Sequence, residues 1–238
     1  MRPLSYTLDF APAAEGSILI QTGSTRVLCT ASIDERTPNW VGPDKGWVTA
    51  EYSMLPRSTL VRSKRDQVRQ AGRTHEIQRL IGRCLRAVTD LKALASYSIT
   101  LDCDVIQADA GTRTASITGA WVALAIACDR LHKSGKIPRF PLTDQVAGVS
   151  LGIIDGEILL DMSYLEDSQA GVDLNLVMTG GGRLVEVQGT AEGQTFDQEE
   201  LSLMIRLGQT GLQELFALQR QALADKGIKI GAFERPRT

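Results

Sequence analysis

A short polar turn precedes a long apolar stretch and offers the first candidate for chemistry. Gly111, Thr112, Arg113 and Thr114 come shortly before the apolar run at residues 121–127, which predicts a buried helix beginning at this turn. A helix N-terminus has unpaired backbone N–H groups and a partial positive charge, so a guanidinium placed there opposes the helix dipole by about 0.3–1 kcal/mol. Glycine, hydroxyl groups and a fixed positive charge at such a turn favour binding of a phosphate-sized anion.

A purely structural interpretation of the same turn has equal weight at this stage. The hydroxyl of Thr112 or Thr114 would cap the helix, and the Arg113 guanidinium would pair with a nearby carboxylate. The candidates for that carboxylate are Asp102, Asp104 and Asp109.

Two acidic residues form the second candidate site. Asp173 interrupts an otherwise apolar strand, where an unpaired carboxylate is costly unless it is ion-paired, bound to metal or catalytic. Asp167 lies in the preceding turn and could converge on Asp173. Such a pair can bind Mg²⁺ or act as a general acid beside it. A salt bridge to one of the many arginines is the alternative, and it is slightly favoured from these residues alone.

Basic residues precede and begin the first predicted helix. Arg73 follows Gly72 at the start of that helix and projects near its apolar side, so its charge must be capped, paired or directed at an anion. Upstream, the segment 55–72 carries an excess of basic residues and predicts a mobile loop. A loop that faces a polyanion and a solvated loop or subunit contact are equally consistent with this composition. The arginines concerned are Arg57, Arg62, Arg65 and Arg69.

Composition indicates an ordinary globular protein. The chain has 238 residues, a formal net charge of −2 and 43% hydrophobic residues, enough to bury a large core without disulfides or metals. The four cysteines lie apart in apolar segments and predict reduced, buried thiols, and with two histidines a zinc site is not expected. The sequence contains neither a signal peptide nor an apolar run of membrane-spanning length, so we expect a cytoplasmic protein.

The hydrophobic patterns alternate between strands and helices. Strands are predicted at 17–22, 26–33, 46–55 and 98–106, and helices at 74–91 and from the Gly111 turn to His132. Two hairpins follow, around Asp155-Gly156 and Gly180–Gly182, and Thr195 with Gln198 predicts a capping box for a C-terminal helix. This order predicts one α+β domain over residues 1–238, with helices covering a mostly antiparallel sheet and a tail from about residue 227 unassigned.

Five segments, taken together and in order, resemble the ribonuclease PH family of phosphate-dependent 3′→5′ exoribonucleases. The segments are KGWVTAEYSMLPRST, GRTHEIQRLIGRCLRAVTDL, LDCDVIQADAGTRTASITGA, EDSQAGVDLNLVMT and VEVQGTAEG. They span the chain from about Leu4 to beyond Glu200. Five long motifs in register are far more specific than any one loop.

The resemblance assigns roles to the candidate residues. It implies that Arg73 and the turn Gly111, Thr112 and Arg113 bind phosphate, and that Asp167 and Asp173 hold Mg²⁺ or assist proton transfer. It also implies the ribosomal protein S5 domain 2-like fold with a left-handed βαβ crossover. The expected assembly is a homohexamer, a trimer of dimers, in which Arg57, Arg62, Arg65 and Arg69 lie near subunit contacts and the RNA path.

The implied activity is trimming of the 3′ ends of tRNA precursors, with rRNA as a further substrate, and release of nucleoside diphosphates in a reversible step. Two functions of other classes stay open: a non-catalytic RNA-binding ring subunit of exosome type, and a small-molecule phosphotransferase of the same superfold. No membrane partner is expected.

The sequence departs from the family pattern at two places. The family has an R-x-D-G-R segment shortly before the residues that match Met1, Arg2 and Pro3, and the printed sequence begins after it. Ala110 stands where a second glycine is common, a small change that is tolerated if the backbone there has a negative φ.

Overall fold

The structure, a computed structural model, describes residues 1–42, 44–65 and 72–228. Its strands are β1 (Leu4–Leu8), β2 (Gly16–Thr22), β3 (Thr25–Asp34), β4 (Trp47–Met54), β5 (Ser98–Gln107), β6 (Val146–Ile154), β7 (Glu157–Leu160), β8 (Val172–Thr179) and β9 (Leu184–Ala191). Its helices are α1 (Gly72–Ala87), α2 (Thr112–Lys133), α3 (Tyr164–Asp167) and α4 (Gln198–Asp225). No helix in these ranges has the length and apolarity needed to cross a bilayer.

The first five strands form one sheet in the order β1-β2-β3-β5-β4. All neighbours in it pair antiparallel except β4 and β5, which run parallel and are connected through α1. Side chains alternate strictly along β5, with Ile99, Leu101, Cys103 and Val105 buried beneath the helices. The opposite face of β5 carries Asp102 and Asp104, two of the acids considered as partners for Arg113.

The last four strands form a second, wholly antiparallel sheet in the order β7-β6-β8-β9. Residues 146–153 of β6 are all buried, because α2 packs on one face of this strand and α4 on the other. Gly148 suits this packing: a Cβ there would lie 3.3 Å from the Cα of Thr114, closer than most Cβ contacts in proteins. The close approach places the first turn of α2 directly over the second sheet.

Helix α2 lies between the two sheets and carries the centre of the core. It contacts β2, β3 and β5 on one side and β6 on the other, so nearly all of its residues are buried. A helix buried all round shows no apolar stripe, which agrees with the continuous apolar run in its sequence. Its N-terminus therefore opens at the junction of the two sheets.

The α+β prediction is confirmed, with the mostly antiparallel strands divided between two sheets. The hairpins at Asp155-Gly156 and Gly180–Gly182 are present, and all four cysteines are buried and free. The predicted capping box at Thr195 is wrong: Asp197 caps α4 and pairs with Glu200, because the Asp197 carboxylate accepts from two backbone N–H groups. Helix α1 ends at Ala87 rather than Leu91, since Thr89 pairs with Leu142 instead.

The boundaries of the domain stay a prediction. One core cluster combines the five-stranded sheet with α1, α2 and part of α4, and a second lies between α4 and the four-stranded sheet. The unassigned tail lies outside the described residues from position 229 onward.

Candidate active site

The turn before α2 leaves the N-terminus of this helix without a side-chain cap. Gly111 is the N-cap residue and has a left-handed conformation, with φ of 62°. The hydroxyl of Thr114 donates to the carbonyl of Gly111 at 2.9 Å, and the hydroxyl of Thr112 bonds the Tyr52 hydroxyl at 2.8 Å. The capping role considered for either threonine is therefore wrong, and within the described residues this helix has no side-chain cap hydrogen bond.

Ala110 adopts a left-handed conformation as well, so the condition of a negative φ, under which an alanine is tolerated here without strain, is not met. Its φ is 57°, a strained value for a residue with a Cβ. Thr25 holds the strained peptide from below: its buried hydroxyl donates to the Ala110 carbonyl at 2.6 Å and accepts from the Asp109 N–H at 2.9 Å. Packing against β3 thus fixes a turn that local preference disfavours.

The Arg113 guanidinium is anchored by an amide rather than by an acid. Its Nη1 donates to Oε1 of Gln188 on β9 at 2.8 Å. The expected pairing with Asp102, Asp104 or Asp109 is not formed, since the first two lie on the outer face of the five-stranded sheet and Asp109 pairs with Arg2. Among the described residues Arg113 has no ion-pair partner.

Asp173 lies in front of this helix end, in the row of β8 residues that faces α2. Its carboxylate accepts from the Asn175 amide at 3.4 Å and has no ion-pair partner within the described part of the chain. Burial raises the pKa of Asp173, the Asp167 carboxylate raises it further, and the guanidinium groups of Arg113 and Arg73 lower it. These influences place Asp167, Arg113 and Arg73 around one half-buried carboxylate.

Tyr52 connects the first sheet to the same group of charges. Burial raises the pKa of its hydroxyl, while the bond to Thr112 and the positive charges of Arg73 and Arg113 lower it. Arg73, in the first turn of α1, is exposed and has no ion-pair partner among the described residues. Two helices therefore bring one guanidinium each to a shared space.

Arg2 ties the turn before α2 to the short helix that carries Asp167. Its Nη1 donates to the carbonyl of Asp109 at 2.6 Å and its Nη2 to the carboxylate of Asp161 at 2.8 Å. The Asp109 side chain continues the chain of bonds: one of its carboxylate oxygens accepts from the backbone N–H of Tyr164, at the start of α3, at 2.9 Å. This chain of bonds positions Asp167 relative to Gly111.

The basic segment borders the site where the structure describes it. The carbonyl of Ser58 accepts from the Ala108 N–H at 2.8 Å, so the segment lies against the residues that lead to Gly111. Arg57, Arg62 and Arg65 are exposed, and Arg57 donates to the carbonyl of Leu60 at 3.0 Å. Arg69 lies outside the described residues.

Sequence reasoning missed several residues that position this group. They are Arg2, Tyr52, Asn175 and Gln188. The register of β8 and β9 places Asn175 opposite Gln188 and Asp173 opposite Thr190, so strand alternation in the motif VEVQGTAEG indicates which face Gln188 occupies. Nothing in the sequence indicates that this face meets α2.

A divalent cation would find two carboxylates here. The described residues contain no group of three or more metal-binding side chains, so a cage made entirely by the protein is absent from that part of the chain. Mg²⁺ in phosphoryl-transfer sites is usually held by one or two carboxylates together with substrate phosphates and water. Asp167 and Asp173 fit that donor set, because Asp167 already raises the pKa of its half-buried neighbour.

Comparison with family models covers most of the chain. The model of the 3′ exoribonuclease family, domain 1, matches residues 1–128. The model of the same family's domain 2 matches residues 144–211. The two matches contain all the candidate residues described above, including both acids, the Gly111 turn and Gln188.

Solved structures with the same fold include rice Rrp46 and two archaeal exosome structures. Rrp46 from rice (Oryza sativa) is 19% identical, with a TM-score of 0.77 over 94% of this chain and 95% of that one. An Archaeoglobus fulgidus exosome with RNA bound to the active site is 21% identical, with a TM-score of 0.75 over 90% and 88%. An archaeal exosome core is 18% identical, with a TM-score of 0.70 over 94% of this chain and 87% of that one. The α+β architecture is consistent with the S5 domain 2-like fold of these proteins.

Proposed function

The chain belongs to the 3′ exoribonuclease family, and from that premise we propose that it is a phosphate-dependent 3′→5′ exoribonuclease. The observation that carries the proposal is the convergence of Arg73, Arg113 and Asp167 on Asp173 at the uncapped end of α2. Two guanidinium groups that have no carboxylate partner in the described part of the chain suit a site for two phosphates that must approach each other. An enzyme of this kind needs no protein nucleophile.

The proposed reaction is attack of inorganic phosphate on the last phosphodiester of an RNA chain. Arg113, Arg73 and the amide groups at the start of α2 orient the phosphate and offset its repulsion from the scissile group. A phosphate oxygen bonds to the phosphorus, the bond to the 3′ oxygen of the preceding nucleotide breaks, and that oxygen takes a proton. The products are a nucleoside diphosphate and an RNA shorter by one nucleotide, and the reverse step extends RNA.

Asp167 and Asp173 would hold Mg²⁺ in this proposal. When bound there, the ion supplies positive charge to the transferring phosphoryl group. The protein contributes the placement of the two carboxylates, through the bonds of Arg2 and Asp109 to α3 and through the strand pairing of β8.

The finer parts of the proposal concern substrate and assembly. We propose the 3′ ends of tRNA precursors, with rRNA as a further substrate, reached along a path that includes Arg57, Arg62, Arg65 and Arg69. The proposed assembly is a homohexamer built as a trimer of dimers, in the cytoplasm. The positive charge beside the segment leading to Gly111 supports an RNA path there.

A second candidate function is a non-catalytic RNA-binding subunit of an exosome-type ring. The likeness to rice Rrp46 and to an archaeal exosome core supports an exosome-type subunit, whereas the Archaeoglobus fulgidus exosome has RNA bound to an active site and does not separate this candidate from the enzyme. Identities of 18–21% compare the fold alone, so activity has to be measured on this chain. The phosphotransferase of the same superfold has no observation in its favour.

The test is an RNA with extra 3′ nucleotides incubated with purified protein and Mg²⁺, with and without phosphate. Phosphorolysis gives nucleoside diphosphates only when phosphate is present, and Arg113→Ala should lower the rate by about 10²–10³-fold. Arg139→Ala is the control, because Arg139 pairs with Asp90 away from the site. Release of nucleoside monophosphates without phosphate would contradict the proposal. RNA binding without any cleavage would favour the non-catalytic ring subunit.

A further inference from the structure

A relay of three polar side chains crosses from α1 to α2 through β9. Gln188 accepts from Arg113 Nη1 through its Oε1 at 2.8 Å and donates through its Nε2 to Oε1 of Glu76 at 2.8 Å. Glu76 lies on α1, one turn after Arg73. The relay therefore joins the two helices that carry the candidate phosphate-binding arginines.

The chemistry of the two end residues fixes the orientation of the central amide. A guanidinium only donates hydrogen bonds and an ionised carboxylate only accepts them. Gln188 can satisfy both neighbours only with its oxygen towards Arg113 and its nitrogen towards Glu76. Glu76 thus keeps the amide oxygen directed at Arg113, although it does not contact Arg113 itself.

An amide in this position holds the guanidinium without neutralising it. A carboxylate at the same place would form a charge-assisted pair with Arg113 and compete with phosphate for it. With Gln188 the side chain of Arg113 is oriented, while its full charge remains available to an anion. In the described residues no acid replaces this partner.

We infer that Gln188 is a positioning residue for phosphate binding, which orients Arg113 as a neutral anchor and is itself oriented by Glu76. This inference rests on the proposed function, because it takes the phosphate site at Arg113 as its premise. It adds two residues from α1 and β9 to that site. It also predicts that the location of one negative charge within the relay controls phosphate affinity.

The decisive variant exchanges the two ends of the Glu76–Gln188 bond. The double variant Glu76→Gln/Gln188→Glu keeps the composition, the net charge and a carboxylate–amide hydrogen bond, but places the carboxylate against Arg113. We expect the dissociation constant of inorganic phosphate to rise by about tenfold or more. Gln188→Ala, which removes the anchor without adding charge, should raise it by about threefold to fivefold.

Which of the two variants weakens phosphate binding more distinguishes a positioning role of Gln188 from a merely structural one. If Gln188 only held β9 against α2, a carboxylate at position 188 would retain or strengthen that contact. The double variant would then lower phosphate affinity less than Gln188→Ala does. Glu186→Gln is the matched control, since Glu186 joins the same strand to α1 through Arg83 at 3.2 Å and does not contact Arg113. Phosphate affinity should be unchanged in this control.

The measurements are phosphate binding by calorimetry and phosphorolysis at varied phosphate concentration. We expect Gln188→Ala to raise KM for phosphate and the double variant Glu76→Gln/Gln188→Glu to raise it further. The value of kcat at saturating phosphate should change much less in both. Equal phosphate affinity in wild type and the exchange variant would overturn the inference. A wild-type protein that binds phosphate but releases no nucleoside diphosphate would overturn the proposed function, while the same order of dissociation constants would still support the role of Gln188. A wild-type protein that binds no phosphate would overturn both.

Discussion

Arg2 and Asp161 are joined by two hydrogen bonds, one from the Arg2 side chain and one from its backbone. Nη2 donates to Oδ1 at 2.8 Å and the backbone N–H donates to Oδ2 at 2.9 Å. The Asp161 side chain is 4% exposed, so its charge depends on this partner. Through Asp109, the same arginine fixes both the Gly111 turn and α3. Residues at the beginning of the chain thereby position acids that follow more than 150 residues later.

Removing this arginine should cost stability and activity together. Arg2→Met removes the guanidinium from the buried Asp161 carboxylate and leaves it only the backbone N–H of residue 2 as a donor from that residue, so we expect the free energy of unfolding to fall by about 3 kcal/mol. Adding Asp161→Asn should recover about 1 kcal/mol, because the orphaned charge is then absent. Urea denaturation measures both, and phosphorolysis should fall in Arg2→Met because α3 loses its anchor. Lys226→Met, which breaks an exposed pair with Asp9, serves as the control. If Arg2→Met and Lys226→Met lowered the free energy of unfolding equally, the role assigned to Arg2 would be contradicted.

Local signals predicted the elements that carry the site better than the contacts among them. Helix α2, the hairpins and the strand containing Asp173 follow from apolar runs and turn residues that are close in sequence. The partner of Arg113 is 75 residues away on β9, whereas Asp102 and Asp104 lie on the opposite face of a sheet and Asp109 pairs with Arg2. The division of the strands into two sheets depends on how α2 is enclosed, and periodicity within a strand does not encode it.

Ala110 shows how packing overrides local preference. Alanine prefers a negative φ, but Thr25 holds both neighbouring peptide groups and α2 must start immediately afterwards. The family resemblance gave the more useful signal, since a glycine is common at this position. A glycine preference indicated a left-handed conformation that alanine adopts here under strain.

Ala110→Gly should therefore stabilise the protein slightly. Relief of a left-handed alanine gains about 1 kcal/mol, and the greater freedom of glycine in the unfolded chain offsets roughly half of that. We expect a net gain of about 0.5 kcal/mol in urea denaturation, with phosphorolysis unchanged. Ala110→Val tests the same strain in the opposite direction and should cost about 2 kcal/mol, since a β-branched side chain is poorly tolerated at positive φ. A stabilising valine would disprove the assigned backbone strain.

An acidic group on the outer face of the five-stranded sheet should make stability depend on pH. Glu51 lies directly opposite Asp102 in the parallel register, and Asp104 follows on the same face. Burial raises the pKa of Asp102, and the charges of Glu51 and Asp104 raise it further; burial and Glu51 raise the pKa of Asp104. A raised pKa in the folded state means that ionisation opposes folding. The penalty is absent below the ordinary Asp pKa of about 3.9 and grows as pH rises through the folded value.

Asp102→Asn should then raise the free energy of unfolding by about 0.5 kcal/mol at pH 7, with no gain near pH 3.5. Urea denaturation at the two pH values gives the comparison. Asp129→Asn is the control, because Asp129 pairs with Lys133 at 2.8 Å and its removal should bring no gain at pH 7. A gain of the same size at both pH values would show that charge repulsion is not the cause.

The exposed arginines of the basic segment should contribute phosphate contacts to RNA binding. If Arg57, Arg62 and Arg65 each neutralise one phosphate of a single-stranded RNA, the triple serine variant should lower the slope of log affinity against log salt by about 2. These three arginines are not among the groups proposed to bind inorganic phosphate, so phosphate affinity should stay close to that of wild type. Replacement of Arg36, Arg130 and Arg139 by serine makes the same charge change near the other end of α2, where the slope should not alter. Equal slopes in the two triple variants would mean that general charge, and not a path beside Gly111, attracts the RNA.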